Sequence, residues 1–521
     1  MDKGSKSVSV DAQLQRKLEG LSPEKRALVE KLLAQKKQQR KAHTQILPTT
    51  KSENEIPVSF SQQRLWLLDQ LEGSSSHYNI PVALKLIGDV NEKALEKALK
   101  TIIDRHQSLR TVFYGTTEQA FQKIKKSCDN FSLEVNHLPN EKINNKNVKA
   151  LVEEAAAASF DLSADTLLRA HLWTLAENTS VLLLVVHHIA ADGWSIGVLV
   201  NELNLLYQAF IKNQLSPLPE LPIQYSDYAI WQRKYLSGVN LDGQLNYWKR
   251  QLLDIPNLHS LPLDKPRPSE QSYAGAVYQT KIDKYTTDQF KRLCRQQDAT
   301  LFMGIYTVLT VLIARYSGET DVVIGTTTAN RDQQEVAELI GFFVNMLVLR
   351  INIDEQASFI QLLEGCKSVA LGAFRHQQTP FEKVVEALNP SRDLSYQPLF
   401  QIMLAVQNNQ EAQLDLSGLT FSEMPITAHT AKFDLSLNVD EEEGQLVIDW
   451  EYCTDLFEAS TIERMAASFN QLLISLLANP EQNVFSLPML SAAEQQRLLM
   501  DYNKTAAEYP KAVSLPGLFE A

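Results

Sequence analysis

The chain has 521 residues, 44% of them hydrophobic and 21% charged, enough for two core-bearing units with extensions and too long for one compact core. Its net charge of −12 is uneven: residues 1–41 hold eleven Lys or Arg against five Asp or Glu, a local +6 that leaves −18 on the remainder and excludes the body as a nucleic-acid binder. No run approaches the roughly 18 apolar residues of a membrane helix. The opening MDKGSKSVSVDAQ lacks the apolar core of a secretory signal. Cys128, Cys294, Cys366 and Cys453 stand far apart without CxxC spacing, which reads as free thiols in a reducing cytoplasm rather than a zinc site or disulfide framework.

In chain order, LSPEKRALVEKLLAQKKQQRK predicts a helix. Ser22 caps it, Pro23 is its first residue, Glu24 sits in the first turn, and Leu28, Val29, Leu32 and Leu33 form one stripe. Residues 1–45 therefore read as a basic helical arm, and the polar, unpatterned 46–56 as a linker. A mixed region follows from Pro57: a helix through QQRLWLLDQLE, a strand through VALKLIG, a helix from Val90 through DRHQSLR, strands LLRAHLWTLA and VLLLVVHH joined by ENTS, and a helix IGVLVNELNLLYQAFI. Beyond the Pro-rich SPLPELP come helices at SDYAIWQRKYLSG and QLNYWKRQLL, then a strand DVVIGTTTA with helices on either side. Such alternation over two halves predicts a two-lobed α/β protein, with lobes over 57–220 and 221–495 and a tail at 496–521.

The segment HHIAADG at 187–193, directly after VLLLVV, carries the chemistry. Successive side chains of a strand point to opposite faces, so His187 and His188 cannot enter one cavity or chelate one metal. One is buried support and the other is free to act. Asp192 is placed to fix the loop, and Gly193 to let a substrate approach the backbone. An imidazole at a strand end, a turn and a carboxylate together make a proton-transfer site. Arg64 lies among Leu65, Trp66 and Leu68, so its guanidinium is expected to enter the interior paired. Trp66, Trp231 and Trp248 read as core.

HHIAADGWS resembles the signature of the acyltransferase superfamily that includes chloramphenicol acetyltransferase and the condensation domains of nonribosomal peptide synthetases, and its tail favours the latter. Six further segments resemble condensation-domain motifs in the family's order: SFSQQRLWLL at 59–68, RHQSLRTVF at 105–113 with Gln107 where Glu is usual, YSDYAIW at 225–231, IGFFVNMLVLR at 340–350, HQQTPFE at 376–382 and SRDLSYQPLF at 391–400. The resemblance implies two chloramphenicol acetyltransferase-like lobes forming a V-shaped pseudodimer around a central tunnel. It also implies amide formation between an upstream acyl or peptidyl thioester and a downstream aminoacyl thioester, both on phosphopantetheine arms of carrier proteins. The domain itself would bind no metal or cofactor.

The same resemblance places His188 in the tunnel, with His187 behind it and the Gly193 amide as a candidate oxyanion donor. It implies that Asp192 pairs with Arg64, Arg110 being the rival, and that Trp194, Ser195, Asn345 and Arg350 support the tunnel, Asn345 and Arg350 near the cleft between lobes. The last stretch, LSAAEQQRLLMDYNKTAAEYPKAVSLPGLFEA, resembles a linker and the start of an adenylation domain. The expected partners are therefore donor and acceptor carriers, an adjacent adenylation domain, and an upstream synthetase protein that docks on the basic arm, with the donor arriving in trans. Epimerisation domains typically continue DGVSWRIL where this chain has DGWSIGVL, and heterocyclising domains replace the histidines with aspartates. A coenzyme A-dependent acyltransferase and a catalytically silent recruitment module of the same fold are the alternatives.

Overall fold

The computed structural model describes residues 45–49, 55–73, 76–116, 119–128, 131–138, 145–176, 178–391, 393–407, 418–424, 426, 430–507 and 514–520. The basic arm and its expected helix lie outside them. The first half runs β1 (Ile56–Pro57), α1 (Phe60–Glu72), β2 (Asn79–Ile87), α2 (Glu92–Arg105), β3 (Thr111–Gly115), β4 (Ala120–Ile124), β5 (Glu134–His137), α3 (Asn145–Ala156), β6 (Leu168–Ala176), β7 (Thr179–His187) and α4 (Gly193–Ile211). The second runs α5 (Tyr225–Tyr235), α6 (Val239–Gln251), β8 (Gly275–Ile282), α7 (Lys284–Gln296), α8 (Leu301–Ser317), β9 (Asp321–Thr328), β10 (Asn345–Asn352), α9 (Phe359–Arg375), α10 (Phe381–Leu388), β11 (Ile402–Val406), β12 (Thr420–Glu423), β13 (Leu435–Glu442), β14 (Gln445–Cys453) and α11 (Ala459–Ala478).

The apolar run VLLLVV lies in β7, the middle strand of a five-stranded sheet ordered β12-β2-β7-β6-β5. Both faces of β7 are covered, which is why its letters do not alternate. Helix α3 packs against β7 and β2, and α4 packs with α2, whose stripe Leu95, Leu99, Ile102 and Ile103 is fully buried in the same core. The helix expected through 110 instead stops at Arg105: His106 turns extended, its buried ring held between Glu202 and the amide of Ile340, and 107–110 form a single 3-10 turn.

The second half holds a six-stranded sheet ordered β10-β9-β11-β13-β14-β8 with α8, α9 and α11 against it. Helix α8 is buried almost all round, and among the described residues no single helix is long and apolar enough to cross a membrane. Strand β12 leaves the second half and pairs antiparallel with β2, completing the edge of the first half's sheet. Part of the expected linker also packs: Ile46 is buried with Tyr225, Tyr228 and Phe343, because one apolar side chain in a polar run suffices to anchor it.

Candidate active site

A cavity of about 1160 Å³ lies between the halves, lined by Arg64, Tyr78, His188, Gly193 and Trp194 from one and by Thr326, Met346, Met403, Lys432 and Ser436 among others from the second. His187 ends β7 and is buried away from that lining, its Nδ1 accepting from the Ile189 amide at 3.2 Å and its ring edge-on to Phe160. His188 begins the turn. Its amide donates to the Tyr78 carbonyl at 2.8 Å, and its Nδ1 lies 2.9 Å from the Ala191 carbonyl oxygen. A carbonyl oxygen can only accept, so Nδ1 carries the proton and Nε2 keeps a lone pair. The pleat separates the two histidines as the strand period requires.

Burial first, and then the Lys432 ammonium, lower the His188 pKa to about 3. Burial, then the His188 ring and Lys432, do the same to His187, also to about 3. Both imidazoles are neutral at pH 7. Gly193 opens α4, so its amide is among the donors a helix start leaves without an intrahelical partner. A Cβ built on it meets nothing within 4 Å. The glycine keeps space open rather than relieving a clash.

Asp192 does not pair with Arg64 or Arg110. Its partner is Arg331, whose guanidinium reaches Asp192 Oδ1 at 2.9 Å, and both side chains are excluded from water. The same oxygen caps α4 by accepting from the Ser195 amide at 2.9 Å and lies 2.7 Å from the Ser195 hydroxyl, while Oδ2 accepts from the Phe343 amide at 3.0 Å. Ser195 Oγ accepts from the Gly341 amide, and Arg331 donates also to the carbonyls of Val336 and Leu339. One carboxylate thus ties the motif loop to segment 331–343 of the other half. Trp194 adds a fourth link through Nε1 to the Ala337 carbonyl at 2.9 Å, with 42% of its surface exposed.

The reason Arg64 misses Asp192 lies in helix geometry. Gln62 holds the motif loop through the Ile189 carbonyl at 3.2 Å. Arg64, two residues on, points about 200° round α1 and into the cavity, where it reaches Met346 Sδ at 3.2 Å and Gln397 Oε1 at 3.3 Å. Arg110 instead spans the carbonyls of Lys125 and Asp104, outside the cavity lining. Asn345 is buried, its amide donating to the Gln377 and Thr379 carbonyls at 2.7 and 2.6 Å and its oxygen accepting from the Phe381 amide at 3.0 Å. It fixes the floor under Phe381. Arg350 is away from the cleft, clasping Asp321 at 2.7 Å and the Asp254 carbonyl at 3.2 Å. Trp66 and Trp248 are core, and Trp231 is half-buried against Tyr235.

The sequence profile of the condensation-domain family matches residues 52–499. The chain belongs to the condensation-domain family. The condensation domain is 40% identical over 485 residues to one of the linear gramicidin synthase subunits from Brevibacillus parabrevis, covering 92% of this chain and 9% of that protein. It is 40% identical over 499 residues to malpinin synthetase from Mortierella alpina, covering 96% of this chain and 6% of that relative. The chain therefore spans less than a tenth of the length of these relatives. Among solved structures, the X-domain from teicoplanin biosynthesis superposes with a TM-score of 0.79 at 26% identity, over 85% of this chain and 99% of that one. The first condensation domain of the calcium-dependent antibiotic synthetase, with a substrate analogue bound, gives 0.70 at 18% identity over 85% of this chain and all of that one, a likeness of fold. The two-lobed architecture expected from HHIAADGWS is the fold of this condensation domain.

Sequence reasoning passed over Arg331, Lys432 and Glu382. Arg331 sits in a polar loop, ANRDQQE, with no periodic signal. Glu382 was inside a recognised motif, and its buried Oε2 has no hydrogen-bond partner in the described structure. Burial raises its pKa.

Proposed function

We propose that this condensation domain joins an acyl or peptidyl thioester on an upstream carrier to the α-amino group of an aminoacyl thioester on a downstream carrier, both delivered on phosphopantetheine arms. The observation that carries this reading is the Nε2 lone pair of His188, fixed by the Nδ1 contact with Ala191, on a residue lining a cavity between the two halves. An α-amino group has a pKa of about 7.7 to 8.0 and is partly neutral at pH 7, so it needs little deprotonation before attack. An imidazole whose pKa is lowered to about 3 is a weak base toward it. His188 therefore acts first by accepting an N–H and aiming the nitrogen lone pair at the thioester carbonyl. Once attack has made that nitrogen cationic and acidic, Nε2 takes its proton and returns it to the departing pantetheine thiolate. The Gly193 amide is the donor offered to the developing oxyanion.

Several features support placing the chain in a larger assembly. A four-domain nonribosomal peptide synthetase solved with AMP and glycine matches 84% of this chain through 34% of its own length, at 25% identity and a TM-score of 0.76. Residues 496–521 resemble the start of an adenylation domain, so the acceptor is loaded next door. The basic arm at 1–45 offers a docking element to an upstream synthetase protein, in the cytoplasm. A silent recruitment module would have no use for an imidazole lone pair held over a cavity.

The test is intact-protein mass spectrometry of the acceptor carrier after mixing the chain with a loaded donor carrier and a loaded acceptor carrier. A gain equal to the donor acyl group, absent with His188→Ala, supports condensation. No transfer from D-peptidyl, L-peptidyl or fatty acyl donors while both carriers still bind would overturn it.

A further inference from the structure

The cavity wall carries a cation that the amide-forming steps leave without a role. Lys432 precedes β13 and lines the cavity together with His188, Tyr78 and Arg64. Its backbone is held by Gln271, whose side-chain amide donates to the Lys432 carbonyl at 2.9 Å. Its Nζ stands 5.3 Å from the centroid of the Tyr78 ring, and the Tyr78 carbonyl is the acceptor for the His188 amide. Lys432, from the second half, thus meets the His188 backbone of the first half through one residue, Tyr78. Among the described residues no carboxylate comes within ion-pair distance of it. Glu451 acts on it at longer range, Arg64 is a like charge across the cavity, and burial holds its pKa below the usual lysine range. A half-buried ammonium with three donors and no carboxylate in ion-pair reach among the described residues has electrostatic capacity to spare. Its field is felt at the reaction centre, since Lys432 is the charge that most strongly keeps His188 neutral.

Resting on the condensation reading, we infer that the Lys432 ammonium stabilises the tetrahedral oxyanion formed when the acceptor amine attacks the donor thioester. The C–N bond forms as the carbonyl π pair moves onto oxygen, whose negative charge Lys432 balances from one side and the Gly193 amide from another. His188 Nε2 takes the amine proton. The oxygen pair then re-forms the carbonyl, the C–S bond breaks, and the thiolate leaves with the proton from His188. Lys432 keeps its own proton throughout. Such a cation acts on the transition state and leaves ground-state binding nearly alone.

The experiment measures single-turnover transfer by the full chain from an N-acetylalanyl pantetheine thioester to an alanyl pantetheine thioester, and in parallel to an aspartyl one. Lys432→Met should lower the maximal rate with the neutral pair by about 10²-fold with half-saturation unchanged, and Lys432→Arg should restore most of it. The wild-type rate should fall at alkaline pH as the ammonium deprotonates, and Lys432→Arg should carry that fall to higher pH. Tyr78, Arg64, Glu451 and His188 are the groups facing Lys432 whose charges set where the fall lies. Wild-type rates for Lys432→Met on the neutral pair, a loss confined to the aspartyl acceptor, or an alkaline limb that Lys432→Arg does not move would each overturn the inference. A wild-type chain inactive on both pairs sinks the condensation reading and this inference with it, whereas wild-type transfer with an indifferent Lys432 sinks only the latter.

Discussion

Two neighbouring clusters drawn from one motif are built on opposite rules. Around Asp192 the polar groups are crowded with partners: Arg331, Ser195 and the Phe343 amide share one carboxylate with no access to water. Around His188 the cavity wall is undersupplied, with an imidazole lone pair, the Lys432 ammonium and an unpartnered Glu382 oxygen. The saturated cluster is architecture, since the Asp192 carboxylate, the Ser195 hydroxyl and the terminal nitrogens of Arg331 are spent on the protein, with only Arg331 Nε left without a hydrogen-bond partner in this cluster. The open one is where a substrate supplies the missing partners.

The sharpest way to break this contrast is Asp192→Ala. It strands a buried guanidinium and removes the cap of α4, so we expect a loss of about 3 to 5 kcal/mol in unfolding free energy, with activity falling in step. Denaturant unfolding measures it, and an unchanged midpoint would contradict the clamp. His188→Ala should do the reverse, lowering single-turnover transfer by about 10² to 10⁴-fold while the unfolding midpoint stays near wild type. Asn345→Ala sits between the two. It leaves the Phe381 amide and two carbonyls unpaired and should cost about 1 to 3 kcal/mol of stability, with a smaller fall in rate as the floor under Phe381 loosens.

Acid tests both clusters at once. His187 and His188 have folded pKa values near 3, below the unfolded value of 6.5, so the unfolded chain binds more protons between those limits. The histidine contribution to stability should be flat from pH 6.5 to 8 and decline as pH falls from 6.5 toward 3. Urea midpoints at pH 8, 6 and 5 read this directly, and a midpoint that rises on acidification would refute it. The smallest stability effect belongs to Gly193→Ala, where the new methyl enters open space. It should leave the unfolding midpoint unmoved and slow transfer by crowding the substrate, up to about 10²-fold, measured by the same single-turnover assay.

What was legible beforehand follows from range. The strand VLLLVV, the helix after it and the opposition of His187 and His188 all depend on residues within a few positions of one another. They follow from the two-residue period of a strand and the capping rules of a helix start. Arg64 shows where that kind of reasoning stops: an arginine among core letters does enter the interior, but the direction in which it points round α1 is set by which face Gln62 commits to the motif loop. The Asp192 partner lies 139 positions away, in a loop whose letters resemble any polar connection.

From its letters alone the chain determined a histidine turn at a strand end, the family to which that turn belongs and the two-lobed α/β class, because local geometry and an ordered set of motifs survive without knowledge of the tertiary path. Tertiary structure alone decided that Arg331 rather than Arg64 neutralises Asp192, that β12 crosses back to β2, and that Lys432 faces the same cavity as His188. Those pairings depend on how the two halves of the chain are brought together. No period in the sequence encodes which distant charge the packing will leave beside a given carboxylate or imidazole.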